Sequence, residues 1–159
     1  MLLVVRHADA GDGRGWQGPD LPRPLSPTGH RQAEGLVVRL EDYPVDRILS
    51  GPSQRCRQTV EPLARDRLLP VEPVPALGVE PNPAQLQALF RDLEPRNSVL
   101  CTHGEAIGVL LTRLLTDVLM VEGPLDWPEG STWLLERTGS RQVRGRYLAP
   151  LVFHGAPTS

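Results

Sequence analysis

The chain has 159 residues, 40% of them apolar and 23% charged. That is the size and composition of one globular domain with a core that buries roughly 68–70% of the unfolded surface, and it excludes a disordered chain. Its 17 basic residues are all arginines, and 19 acidic residues leave a net charge of −2. No bulk positive field is present to recruit a nucleic acid polymer or an anionic membrane, and any anion site must be built from arginine, histidine or backbone N–H groups. The two cysteines, Cys56 and Cys101, have no metal-type spacing and support no disulfide framework. A reducing cytoplasm is the expected compartment.

Leu2–Val5 is a short apolar run that reads as a strand buried on both faces. It is too short for a signal peptide, and no stretch approaches the ~20 apolar residues of a membrane span. Because this strand opens at Leu2, the expectation is a single domain over residues 1–150, with no room for another ahead of it and a loose tail at 151–159. Residues 11–24 hold four glycines and three prolines and read as a loop. Ser26-Pro27 opens a helix, with Ser26 as N-cap, and Ala33, Leu36, Val37 and Leu40 follow its period before Pro44. Asp46–Ser50 reads as a second strand, and Ser53–Arg67 as a helix that Pro62 should kink or shorten.

The proline-rich segment 70–83 reads as an extended linker. Ala84–Leu93 is predicted helical, Ser98–Thr102 a third buried strand, and Gly104–Leu119 a strongly apolar helix. Ser131–Glu136 and Gln142–Leu148 are predicted to pair antiparallel around a Thr-Gly-Ser turn. Strands alternating with helices imply a three-layer α/β/α sandwich with a mainly parallel central sheet. Ligands of such folds sit at the carboxyl ends of the strands.

Those ends carry the chemistry. The first strand runs into Arg6-His7, the second into Ser50-Gly51-Pro52 with Arg55 one helical turn on, and the third into His103-Gly104. Two arginines beside two imidazoles form a pocket for a tetrahedral dianion, and helix N-termini add N–H donors. One imidazole can attack phosphorus in line while the arginines neutralise the equatorial oxygens. The attacking ring must be neutral, and neighbouring arginine charge pushes its pKa down. Such chemistry needs no cofactor, and no His/Cys/Asp cluster has metal-ligand spacing.

These motifs resemble the histidine phosphatase superfamily, also called phosphoglycerate-mutase-like. Val4-Val5-Arg6-His7-Ala8-Asp9-Ala10 is similar to the strand-plus-RHxxA signature of its short phosphohistidine-phosphatase branch. RPLSPTGHRQA (Arg23–Ala33) resembles the segment that follows it. SGPSQRCRQT (Ser50–Thr59) is similar to SSP-x-x-R-A-x-Q-T, with Gly51 and Cys56 in place of the usual Ser and Ala. LCTHGEAIGVLL carries the second-histidine motif at His103 and Gly104. RCRQTVEPLA, LCTHGEAI and GSTWLLE also look like the phosphatase domain appended to some bacterial Nudix hydrolases, here expected to stand alone.

The resemblance implies a metal-independent phosphatase with His7 as nucleophile and Arg6, Arg55 and His103 clamping the phosphoryl group, beside Ala8 and Gly104. It implies a phosphohistidine protein or a small phosphomonoester or nucleotide as substrate, and a Nudix enzyme as a conceivable partner. For the general acid it favours Glu80, one residue away from the family's L-x-E spacing; Glu105, Asp9 or no acid at all remain open. The compact chain does not favour a mutase. The competing reading is a phosphate-binding regulatory module without turnover. His30 and His154 read as incidental, Arg57 as solvated or ion-paired, Cys101 as buried and inert, and Trp127 and Trp133 as packing residues. The 11–24 loop reads as flexible and close to the substrate, with Trp16 either stacking there or packing on the fold.

Overall fold

A computed structural model describes residues 1–93, 96–117, 119–139 and 142–154. Seven strands form one sheet: β1 (Leu2–Arg6), β2 (Arg47–Ser50), β3 (Val71–Pro73), β4 (Ser98–Thr102), β5 (Leu119–Glu122), β6 (Thr132–Arg137) and β7 (Val143–Leu148). Their order is β3-β2-β4-β1-β6-β7-β5. β1 pairs parallel to β4, β4 to β2 and β2 to β3, while β6 alone runs antiparallel to its neighbours β1 and β7. The helices are α1 (Pro27–Arg39), α2 (Gln54–Arg67), α3 (Pro83–Leu93) and α4 (Gly104–Asp117).

The apolar run of β1 explains the layers. Side chains alternate across a strand, so Leu2 and Val4 join one core cluster with Leu100, Leu86, Ile107, Leu111 and Trp133. Leu3 and Val5 join a second, on the opposite face, with Val99, Leu36, Leu40, Val60 and Leu63. Thus α3 and α4 cover one face, α1 and α2 the other, and the expected α/β/α sandwich is formed. Among the described residues, no helix is long and apolar enough to cross a membrane.

Both active-layer helices begin as their caps dictate. Ser26 Oγ accepts the Gly29 N–H, and Ser53 Oγ accepts the Cys56 N–H. Pro62 does not shorten the helix: α2 runs unbroken to Arg67 with Pro62 buried. Two further expectations are corrected. The 70–83 linker contains β3, which extends the sheet edge beside β2, and a 3-10 turn over Pro75–Leu77 whose Leu77 is buried. The apolar helix ends at Asp117, because Leu119–Glu122 turns out as β5 beside β7. The start of the C-terminal segment is held against α1, where the Phe153 N–H donates to the Arg31 carbonyl at 3.0 Å. Residues 155–159, and Ser140 of the expected Thr-Gly-Ser turn, lie outside the described residues.

Candidate active site

The register of two neighbouring strands creates the site. Arg6 lies opposite Thr102 in the parallel β1–β4 pair, so the residues that follow, His7 and His103, emerge side by side. The His7 N–H donates to the Thr102 carbonyl at 2.9 Å. The two rings meet edge to face, with centroids 5.1 Å apart and planes at 65°. Both residues are buried.

His7 is held in one tautomer. Its Nδ1 lies 2.8 Å from the Ala8 carbonyl. A carbonyl can only accept, so Nδ1 carries the proton and Nε2 keeps its lone pair. Burial lowers the His7 pKa to about 4; the Ala8 hydrogen bond opposes this, and the charges of His103 and Arg55 add to it. The ring is therefore neutral at ordinary pH with its free nitrogen available. Ala8 is fixed in turn from α2: its N–H donates to Thr59 Oγ1 at 2.9 Å, and that hydroxyl donates to the Arg55 carbonyl at 2.7 Å.

Each arginine of the set is tethered but incompletely satisfied. Arg55, 3% exposed, donates from Nη1 to the Asp20 carbonyl at 3.0 Å and from Nη2 to Asp20 Oδ2 at 2.7 Å. Arg6 donates from Nη1 to the Trp127 carbonyl at 2.9 Å, and its Nη2 lies 3.8 Å from Glu129 Oε1. In both, Nε is buried with no hydrogen-bond partner among the described residues, as it also is in Arg39 and Arg67. Gly104 lets the Arg6 guanidinium lie close, since a Cβ there would fall 3.3 Å from Arg6 Cζ. His103 Nε2 lies 3.4 Å from Ser53 Oγ and 3.6 Å from Cys56 Sγ. Cys56 is thus part of the site's wall. Its thiol is held below its ordinary pKa, first by Cys101 and then by His103 and Ser53, whereas burial pushes Cys101 up.

The structure therefore brings Arg6, His7, Ala8, Arg55, His103 and Gly104 together. Glu80 is exposed and makes no hydrogen bond or ion pair among the described residues. Asp9 turns toward α1, where its Oδ2 accepts the Ser26 hydroxyl and its N–H donates to Gln32 Oε1 at 2.8 Å. Glu105 lines a cavity of about 850 Å³ that opens beside Arg6 and Gly104. Trp127 packs against the core cluster, as expected, and also lines this cavity; Trp133 is fully buried as expected.

Two carboxylates escaped the sequence reading. Asp20 sits in the Gly/Pro loop, where spacing carries no signal. It joins Arg55 to Arg23, and Arg23 also donates to the Ala10 carbonyl at 2.8 Å. The loop is thereby tied down, with Trp16 folded onto its own Pro19 carbonyl. Glu129 immediately precedes Gly130, whose N–H donates to the carbonyls of Arg6 and His7. Burial, followed by a side-chain hydrogen bond with Asp9, raises the Glu129 pKa. Among the described residues no group of three or more His, Cys, Asp or Glu side chains is arranged to hold a metal ion.

Comparison with known proteins agrees with this geometry. The model of the Histidine phosphatase superfamily (branch 1) matches residues 2–78. The chain is 33% identical over 154 residues to an 8-oxo-(d)GTP phosphatase of Mycolicibacterium smegmatis; the match covers 94% of this chain and 48% of that protein, so the chain spans about half the relative's length. Its fold is shared with the protein histidine phosphatase SixA, solved with tungstate, at a TM-score of 0.66 and 20% identity, covering 95% of this chain and 96% of that one. It is shared as well with a mycobacterial glucosyl-3-phosphoglycerate phosphatase, at a TM-score of 0.67 and 21% identity, covering 98% of each chain. The two motif histidines thus meet at the end of a parallel sheet in a chain whose residues 2–78 match the histidine phosphatase superfamily and whose fold is that of the protein histidine phosphatase SixA.

Proposed function

We propose that this chain hydrolyses phosphate monoesters without a metal, through a phosphohistidine on His7. In the first step His7 Nε2 forms a bond to phosphorus as the bond from phosphorus to the leaving oxygen or nitrogen breaks. Arg6, Arg55 and His103 surround the transferred group and stabilise the charge on its oxygens. In the second step a water oxygen bonds to phosphorus, the N–P bond breaks, and phosphate leaves. The observation that carries this reading is the His7 ring, whose Nδ1–H is committed to Ala8 and whose Nε2 is free beside Arg55 and His103.

The proton for an alkoxide leaving group is assigned to Glu129. It is the carboxyl next to Arg6 whose pKa burial, and then the hydrogen bond with Asp9, raise. Substrates that fit this clamp are a phosphohistidine protein, a small phosphomonoester or a nucleotide. The name of the curated relative favours the nucleotide. Two free buried thiols fit a reducing cytoplasm.

A second reading, a phosphate-binding module without turnover that could serve a Nudix partner, is favoured by one observation: Asp20 already occupies both amino groups of Arg55. Phosphoenzyme trapping separates the two. The phosphatase reading expects an acid-labile label on wild type that is lost in His7→Ala and unaffected by chelator. No label and no turnover, with phosphate still raising the melting temperature, would establish the module.

A further inference from the structure

The cavity beside the clamp has features that phosphoryl transfer does not use. It begins at Arg6 and Gly104 and runs along one side of α4 past Glu105 and Gly108 to Arg113. Nine residues of helix place its far end about 13 Å along the axis from Gly104. Trp127 forms the facing wall. One side of this half-buried indole packs on the α3–α4 core cluster. Its edge rests on Gly108, where a Cβ would fall 3.2 Å from Trp127 Cζ2. The absence of a side chain at Gly108 thus lets the indole settle onto the helix.

A volume of about 850 Å³ is far more than phosphate needs and falls in the range of small-molecule sites. Its chemistry is selective. An indole offers a surface for a flat ring. Glu105 offers acceptors and Arg113 offers donors toward the edge of such a ring, and neither is engaged in an ion pair among the described residues. A sugar phosphate has no flat aromatic ring to stack on Trp127. An imidazole has one N–H to offer and would leave most of the volume empty. A purine fills both requirements, since its edge carries donors and acceptors together and arginine and carboxylate side chains are the groups that read them.

We propose that this cavity is the leaving-group site and that it takes a purine nucleoside phosphate, with the base on Trp127 and its edge between Glu105 and Arg113. The assignment rests on the phosphatase reading for the position of the phosphoryl group.

The test measures binding and turnover separately. In calorimetric titrations of the His7→Ala protein, guanosine 5′-monophosphate should bind about tenfold to a hundredfold more tightly than ribose 5-phosphate, the range that one base–aromatic stack is worth. Trp127→Leu should remove most of that difference. Arg113→Ala, at an exposed position, should reduce it several-fold and serves should Trp127→Leu disturb the fold. In the wild-type background the same variants should lower the ratio of kcat/KM for the nucleotide to that for ribose 5-phosphate. Equal binding of the two ligands, variants that weaken both equally, or tighter binding of a phosphohistidine peptide would overturn the assignment. Hydrolysis of 4-nitrophenyl phosphate by wild type, lost in His7→Ala, isolates the phosphatase reading. An active enzyme indifferent to the base sinks the cavity assignment alone; nucleotide binding without hydrolysis of any ester sinks the phosphatase reading, and with it the leaving-group role, leaving the cavity as a purine-binding site only.

Discussion

Asp20 Oδ2 lies 2.7 Å from Arg55 Nη2, so a carboxylate from a surface loop is held against a guanidinium of the phosphoryl clamp. The incoming phosphoryl group is also an anion, and the two must share one cation. Two unit charges about 4 Å apart repel by about 1 kcal/mol even at the dielectric constant of water. Asp20→Asn keeps the shape and removes the charge. It should tighten inhibition by orthovanadate roughly fivefold. Weaker inhibition in Asp20→Asn would mean that the carboxylate orients Arg55 for the oxyanion rather than competing with it. The same pair has a stability signature. Arg55, then Arg23, hold the Asp20 carboxyl below its ordinary pKa of 3.8. Its contribution is therefore present above that pH and lost as the pH falls below it. Acid titration of the melting temperature should show a steeper fall in wild type than in Asp20→Asn.

The His7 pKa of about 4 fixes the acid side of the rate profile. An ordinary imidazole would lose its lone pair below pH ~6.5. With an aryl phosphate, the enzyme-derived acid limb of kcat/KM should instead fall near pH 4, once the ionisation of the substrate is divided out. Folding carries the opposite cost. Between pH 4 and 6.5 the unfolded chain binds a proton at His7 that the folded chain does not, so stability declines as the pH falls through this window. The full effect is on the order of 3 kcal/mol. Urea denaturation at pH 7 and pH 4.5 should show this loss, and His7→Gln should largely abolish it. A rate limb near pH 6.5 would show that burial does not keep the ring neutral.

Glu129 should matter in proportion to how poor the leaving group is. Its carboxyl faces Asp9, Arg6 and Arg23; burial and Asp9 raise its pKa, and the two arginines oppose them. An alkyl phosphate needs a proton on departure and an activated aryl phosphate does not. Glu129→Gln should therefore slow an alkyl phosphate by roughly a hundredfold and 4-nitrophenyl phosphate by less than tenfold. It should also remove the alkaline limb that loss of the carboxyl proton produces with the alkyl substrate. If Glu80→Gln or Glu105→Gln shows the larger alkyl-specific loss, the proton comes from that residue instead.

What the sequence made legible follows from where the information is local. The α/β/α layers were readable because Leu2–Val5 and Ser98–Thr102 are unbroken apolar runs, which only a strand covered on both faces explains. Arg6, His7, Arg55 and His103 were readable because each sits at a strand end or a helix start, and such ends converge in a parallel sheet. Asp20 and Glu129 were not, since each reaches the site from a loop with no period to read. The strand Leu119–Glu122 was hidden by composition: its apolar residues continue the hydrophobic character of α4, and only pairing with β7 separates them. The cavity was invisible for another reason. It depends on Gly108 and Trp127, 19 positions apart, packing together.

Gly51 shows how a departure from a motif can be read backward from the structure. The position usually holds Ser in motifs similar to SGPSQRCRQT. Here a Cβ would fall 2.3 Å from the Leu77 carbonyl oxygen, a contact that no side-chain movement can relieve. That oxygen also accepts the Thr102 hydroxyl at 2.9 Å, and Leu77 itself is buried in the core. The 3-10 turn is thus clamped onto the junction between β2 and α2, immediately before the cap of the helix that carries Arg55. Gly51→Ala must displace either the junction or the turn, at a cost of about 1–3 kcal/mol as in other overpacked sites. It should also lower kcat for 4-nitrophenyl phosphate, because Ser53 and Arg55 move with the junction. Thr102→Val is the control. It removes the hydroxyl from Leu77 but inserts nothing, so it should cost about 1 kcal/mol and leave kcat within a few-fold. If Gly51→Ala proves neutral in both urea denaturation and turnover, the turn is free to yield, and the clamp on Arg55 comes from α2 alone.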